Sequence, residues 1–70
     1  MFKYRVDSPN ISSIGYDGEA KVLEINYSSE RICRYRNVPL VTYQRLSVAK
    51  NKERYIERYI NDSYMKITDC

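Results

Sequence analysis

Histidine and tryptophan are absent from the 70-residue chain, and glycine, proline and cysteine occur twice each. Without histidine the commonest general base and the commonest metal ligand are both missing. Gly15 and Gly18 are too few for a glycine-rich phosphate loop. Cys33 and Cys70 stand at no zinc spacing, and neither is followed by the second pair that a zinc site needs. Two cysteines also make no disulfide framework. Cys33 falls inside a predicted strand while Cys70 is the last residue, so a bridge would have to carry the terminus onto the sheet. The expectation is two free thiols and a reducing, cytoplasmic setting. As a nucleophile Cys33 would have Arg31 and Arg34 nearby but no evident base, and it reads better as a small buried hydrophobe. No apolar run reaches the length of a membrane span, and Met1-Phe2-Lys3-Tyr4-Arg5-Val6 lacks the apolar core of a signal peptide. These absences predict a non-enzymatic protein inside the cell, with no catalytic residue, no metal, no cofactor and no membrane partner.

What the chain does have is tyrosine and charge. Eight tyrosines stand beside 12 lysines and arginines and 9 carboxylates, for a net charge of +3. The charge is unevenly spread: residues 1–30 carry a net −2, residues 31–58 a net +6 and residues 59–70 a net −1. A basic half opposite an acidic half suggests an anionic partner.

At this length the chain makes one domain with little core to spare. Two runs, Leu23-Glu24-Ile25-Asn26-Tyr27 and Ile32-Cys33-Arg34-Tyr35-Arg36, alternate residue types with period two and read as a hairpin. A preceding strand is predicted from Ile11 to Tyr16, with Ile14 and Tyr16 on the covered face and Gly15 marking a bulge or a close approach of backbone. Asp17-Gly18 supplies the turn into a second strand over residues 21–28. Phe2, Tyr4 and Val6 alternate with Lys3 and Arg5, which suits either an edge strand or an extended arm. Asn37-Val38-Pro39 ends the third strand and starts a helix, because proline is suited to a first helical turn. That helix, predicted from Pro39 to about Ala49, turns Val41, Leu46 and Tyr43 towards the sheet. Asn51 is placed to cap a second helix, whose Tyr55, Ile56, Tyr59 and Ile60 form a two-column apolar stripe. The fold class expected is α+β: a three-stranded antiparallel meander with two C-terminal helices on one face. Residues 6–64 form its core, Tyr64 can pack back, and residues 65–70 are expected to fray.

The string Asn10-Ile11-Ser12-Ser13-Ile14-Gly15-Tyr16-Asp17, followed by Leu23-Glu24-Ile25, Arg34-Tyr35, Val38-Pro39, Tyr43, Leu46, Arg54-Tyr55-Ile56, Arg58, Ile60 and Tyr64, resembles the KTSC domain family. That family occurs at the C-terminus of some lysyl-tRNA synthetases and as free-standing small bacterial and phage proteins. The resemblance spans residues 6–64 and implies a link to RNA through the attachment to a synthetase. Where the family has Tyr-x-Tyr, this chain has Cys33-Arg34-Tyr35.

Phosphates attract lysine and arginine while aromatic faces stack unpaired bases, so basic residues interleaved with tyrosines suit RNA or single-stranded nucleic acid. Arg34, Arg36, Arg45, Lys50, Lys52, Arg54 and Tyr35 are the candidate contacts. Tyr16, Tyr27, Tyr35, Tyr55 and Tyr59 also fall on positions the core needs, and Glu53 and Glu57 stand at helical spacing to Arg58 and Arg54 as on a solvated helix face. The alternative is a protein-interaction module, such as a phage-type accessory protein, using the outer sheet face or the first strand's edge. Sequence leaves the oligomeric state open.

Overall fold

The computed structural model describes residues 2–6 and 8–68. Its strands follow the sequence alternation: β1 (Phe2–Arg5), β2 (Ile11–Asp17), β3 (Val22–Tyr27) and β4 (Ile32–Tyr35) form one antiparallel sheet in the order β1-β2-β3-β4. The predicted meander is therefore β2–β4, and the sheet gains β1 on the outer side of β2, where Phe2 pairs with Tyr16 and Arg5 with Ser13. In β2 the register shifts between Ile11 and Ser13. This bulge lies upstream of Gly15, and it resets the alternation, so that Ile11 and Ile14, three residues apart, are both fully buried.

The β2–β3 turn closes where Asp-Gly predicts it, although Gly18 does not take the left-handed conformation; Lys21 does, at φ 57°. Asp17 Oδ1 holds the turn by accepting from the backbone N–H groups of Glu19 at 3.1 Å and Ala20 at 3.3 Å. Glu30 and Asn37, at φ 67° and 58°, reverse the chain at the β3–β4 turn and after β4.

Two helices cover the inner face. Helix α1 (Leu40–Ser47) begins directly after Pro39, and helix α2 (Lys52–Tyr55) runs on into one π turn, Ile56–Ile60. The core joins Ile11, Ile14, Tyr16, Leu23, Ile25, Cys33 and Tyr35 from the sheet to Val38, Leu46, Ile56 and Ile60 from the helical side. Burying each such aliphatic side chain contributes about 1.5–3 kcal/mol before entropy is counted. From α1, Leu46 enters this core and the Tyr43 ring lies on that of Tyr16, with centroids 4.9 Å apart. Val41 does not: it is 47% exposed, because Leu46 and Tyr43 already fill the contact with the sheet.

Residues 65–68 correct the expectation of a frayed tail. They return along β4: Arg36 N–H donates to the Met65 carbonyl, Ile67 N–H to the Arg34 carbonyl, and Lys66 bridges Tyr35 in antiparallel sense. Thr68 supplies the next rung with its side chain, its Oγ1 accepting from Arg34 N–H at 2.9 Å and donating to the Ile32 carbonyl at 3.1 Å. Cys33 is also corrected. It is buried and disulfide-bonded, so it is not a free thiol, and the reducing setting inferred from free thiols loses its basis. The chain's other cysteine, Cys70, lies outside the described residues.

Candidate nucleic-acid interface

Asn51 starts α2 as its sequence position predicts, with its side-chain oxygen accepting from Arg54 N–H at 3.1 Å. From that cap the helix sorts its side chains by column, since residues four apart share a face. Ile56 and Ile60 enter the core. Tyr55 and Tyr59 form the next column, with ring centroids 4.8 Å apart and planes tilted by 44°. Arg54 and Arg58 follow and are exposed. Glu53 and Glu57 stand on the far side from the tyrosines, and Glu53 is turned to the loop before β2, accepting from Ser8 Oγ at 2.8 Å and Asn10 Nδ2 at 3.1 Å. Those two hydrogen bonds hold its carboxyl below the usual carboxylate range.

The basic and aromatic columns meet the α1–α2 connection in an open groove of about 210 Å³, lined by Ala49, Lys50, Asn51, Arg54, Tyr55, Arg58 and Tyr59. Among the described residues no carboxylate lines it. Among the described residues none pairs with Lys50, Arg54 or Arg58 within 4.0 Å. Tyr55 is half-buried and packs on the core, whereas Tyr59 is 55% exposed and lies over it. Three uncompensated cations beside a supported aromatic face suit a planar ring carrying phosphate.

The structure brings together two of the seven residues proposed from sequence, Lys50 and Arg54. Lys52 lies beside them, but its ammonium donates to the Ala49 carbonyl at 3.0 Å and so secures the connection. Arg45 is exposed in the last turn of α1, outside the groove. Arg34 and Arg36 lie away at β4. Arg34 Nε is 2.7 Å from Glu24 Oε1, a carboxylate buried on the outer sheet face and also bonded by Asn26, so its charge is already matched. Tyr35 is corrected outright: its ring is in the core, its hydroxyl donates to Asn61 at 3.4 Å, and it offers no face for stacking. Burial also raises its pKa above the ordinary value.

Sequence reasoning assigned Tyr59 to the core and Arg58 to a solvated face, and both line the groove. The signal was present in the spacing. With Ile56 and Ile60 sufficient to fill the helix contact, the neighbouring column of Tyr55 and Tyr59 could be only half covered.

A family model described as the KTSC domain matches residues 7–64. The chain belongs to the KTSC domain family. A crystal structure of a KTSC domain protein from Yersinia pestis superposes with a TM-score of 0.89 at 28% identity, covering 99% of this chain and 97% of that one. An uncharacterised protein of Stutzerimonas stutzeri is 29% identical over 66 residues, 94% of this chain and 93% of its own length. The stretches that carry the KTSC resemblance build the frame of the domain. Tyr16 of Ser13-Ile14-Gly15-Tyr16-Asp17 donates its hydroxyl to the Val38 carbonyl at 2.6 Å, directly before Pro39, and Val38 N–H donates to the Lys21 carbonyl at 2.9 Å. The two KTSC signature segments thus lock each other and aim α1. Arg54, Tyr55 and Arg58 of the same resemblance line the groove.

Proposed function

We propose that this KTSC domain is a non-catalytic module that binds single-stranded nucleic acid, RNA in the first instance, in the groove between its helices. The observation that carries this reading is the convergence of Lys50, Arg54 and Arg58 around the exposed ring of Tyr59, with no carboxylate among the described lining residues. Phosphates meet the cations, and an unpaired base stacks on Tyr59, which Tyr55 supports from beneath. Duplexes, whose bases are already stacked, gain only the charge interaction.

Fluorescence anisotropy with a labelled octanucleotide tests this. Tyr59→Ala is expected to lower affinity by about 1–3 kcal/mol, the usual worth of one stacked base. Arg54→Gln and Arg58→Gln weaken binding, while Arg45→Gln, outside the groove, leaves it unchanged. A duplex bound as tightly as a single strand, or equal effects from Arg45 and Arg58, would contradict the reading.

A second reading, protein docking, is supported by three exposed apolar side chains on or beside α1: Leu40, Val41 and Val48. It predicts capture of a protein partner that survives nuclease treatment and tolerates salt.

A further inference from the structure

Beyond the Lys50–Asn51 connection the groove is continued by a second, larger cavity of about 390 Å³, lined by Val6, Ser8, Pro9, Asn10, Lys50, Asn51, Lys52 and Glu53. Lys50 and Asn51 are common to both cavities, so a strand that leaves the groove across this connection meets this one. The wall chemistry differs. In place of aromatic rings it presents a carboxylate, Glu53, fixed by Ser8 Oγ on one oxygen and by Asn10 Nδ2 on the other. A carboxylate repels phosphate, so this cavity does not suit the backbone of a nucleic acid. It does suit a base edge that donates hydrogen bonds.

We propose that this cavity is a nucleobase subsite that selects guanine; the inference rests on the groove's taking single-stranded nucleic acid. An ionised carboxylate only accepts, and its two oxygens together have about four lone-pair sites. Ser8 and the Asn10 side chain use one on each oxygen and the Asn10 backbone a third, which leaves about one for a ligand. Guanine alone among the four bases offers two adjacent donors on its Watson–Crick edge, N1–H and the N2 amino group, and the two can converge on the one carboxylate oxygen that still accepts. Its neighbouring O6 accepts, and of the two lysines in the wall Lys50 is the one to supply that donor, because the Lys52 ammonium is committed to the Ala49 carbonyl. Cytosine and adenine bring a single amino donor. Uracil turns carbonyl oxygens to the carboxylate on both sides of its one N–H and is disfavoured. The hydrogen bonds from Asn10 and Ser8 that orient Glu53 also lower its pKa from the ordinary carboxylate value, which favours the ionised acceptor.

The test compares octauridylate with the same oligonucleotide carrying one central guanine, and with inosine in place of that guanine, by anisotropy at fixed salt. One guanine is expected to tighten binding about tenfold, within the usual worth of a bidentate base contact. Inosine, which lacks only the 2-amino group, loses most of that gain. Glu53→Gln removes the discrimination and, because the carboxylate that faces the uracil oxygens is gone, raises octauridylate binding towards that of the guanine oligonucleotide, its melting curve confirming the fold. Equal binding of the uridine, inosine and guanine oligonucleotides overturns the guanine subsite while leaving the groove reading intact. Discrimination that survives Glu53→Gln overturns it as well. Binding of no oligonucleotide overturns the groove reading and this inference together.

Discussion

At the residue scale, Tyr16 carries more of the architecture than its share of the core suggests. Its ring stacks on Tyr43 and its hydroxyl satisfies the Val38 carbonyl inside a buried junction. Tyr16→Phe keeps the ring and leaves that carbonyl without its donor, which costs about 1–3 kcal/mol; chemical denaturation measures it. Burial, with the Asp17 charge adding to it, raises the Tyr16 pKa above 10.0. The folded state therefore holds this proton more tightly than the unfolded chain does. Its contribution is full below pH 10 and declines as pH rises through the folded value, so the wild type loses stability on the alkaline side and Tyr16→Phe loses less there. The tyrosine and its partner Val38 were both evident as motif residues in the sequence. Their mutual hydrogen bond was not, because it joins positions 22 residues apart and no local pattern encodes it.

At the scale of elements, legibility followed locality. Strands β2–β4 show in the alternation of Ile14, Tyr16, Leu23, Ile25, Cys33 and Tyr35, and α2 shows in its Asn51 cap, since period and capping are properties of a few neighbouring residues. Of the two readings of Gly15, a bulge or a close approach of backbone, the bulge lies instead at Ile11–Ser13, because glycine is only one of several residues that permit one. The tail was missed altogether. Met65, Lys66 and Ile67 are exposed and bury no periodic face, so nothing in their composition announces that their backbone covers the edge of β4. Covering that edge protects the sheet against pairing with another chain. Thr68 is the side-chain rung of this strap, and Thr68→Val removes both of its hydrogen bonds at nearly constant shape. Hydrogen exchange of the Arg34 amide, and of the Ile67 amide behind it, is expected to accelerate while the β2 and β3 amides stay protected. Unchanged exchange at both would show that the strap does not depend on this rung.

For the whole molecule, net charge says less than placement. The described chain measures only 28 × 25 × 23 Å, so its acidic and basic surfaces lie within a few Debye lengths of each other, a length of about 8 Å at physiological salt. A ligand at the groove therefore responds to Lys50, Arg54 and Arg58 rather than to the overall +3. Sequence showed the excess of positive charge in the second half. It did not show that Arg34 is matched by Glu24 across the sheet, because that pair forms only when β3 and β4 align residues 24 and 34. The central claim is that these three groove cations hold the phosphates of a single strand, and the salt dependence of affinity for an octanucleotide tests it most directly. Three neutralised phosphates on a single strand predict a slope of about −2 for log affinity against log salt, and removing one cation in Arg58→Gln reduces its magnitude by about 0.7. A slope near zero, or one that Arg58→Gln leaves unchanged, would contradict it.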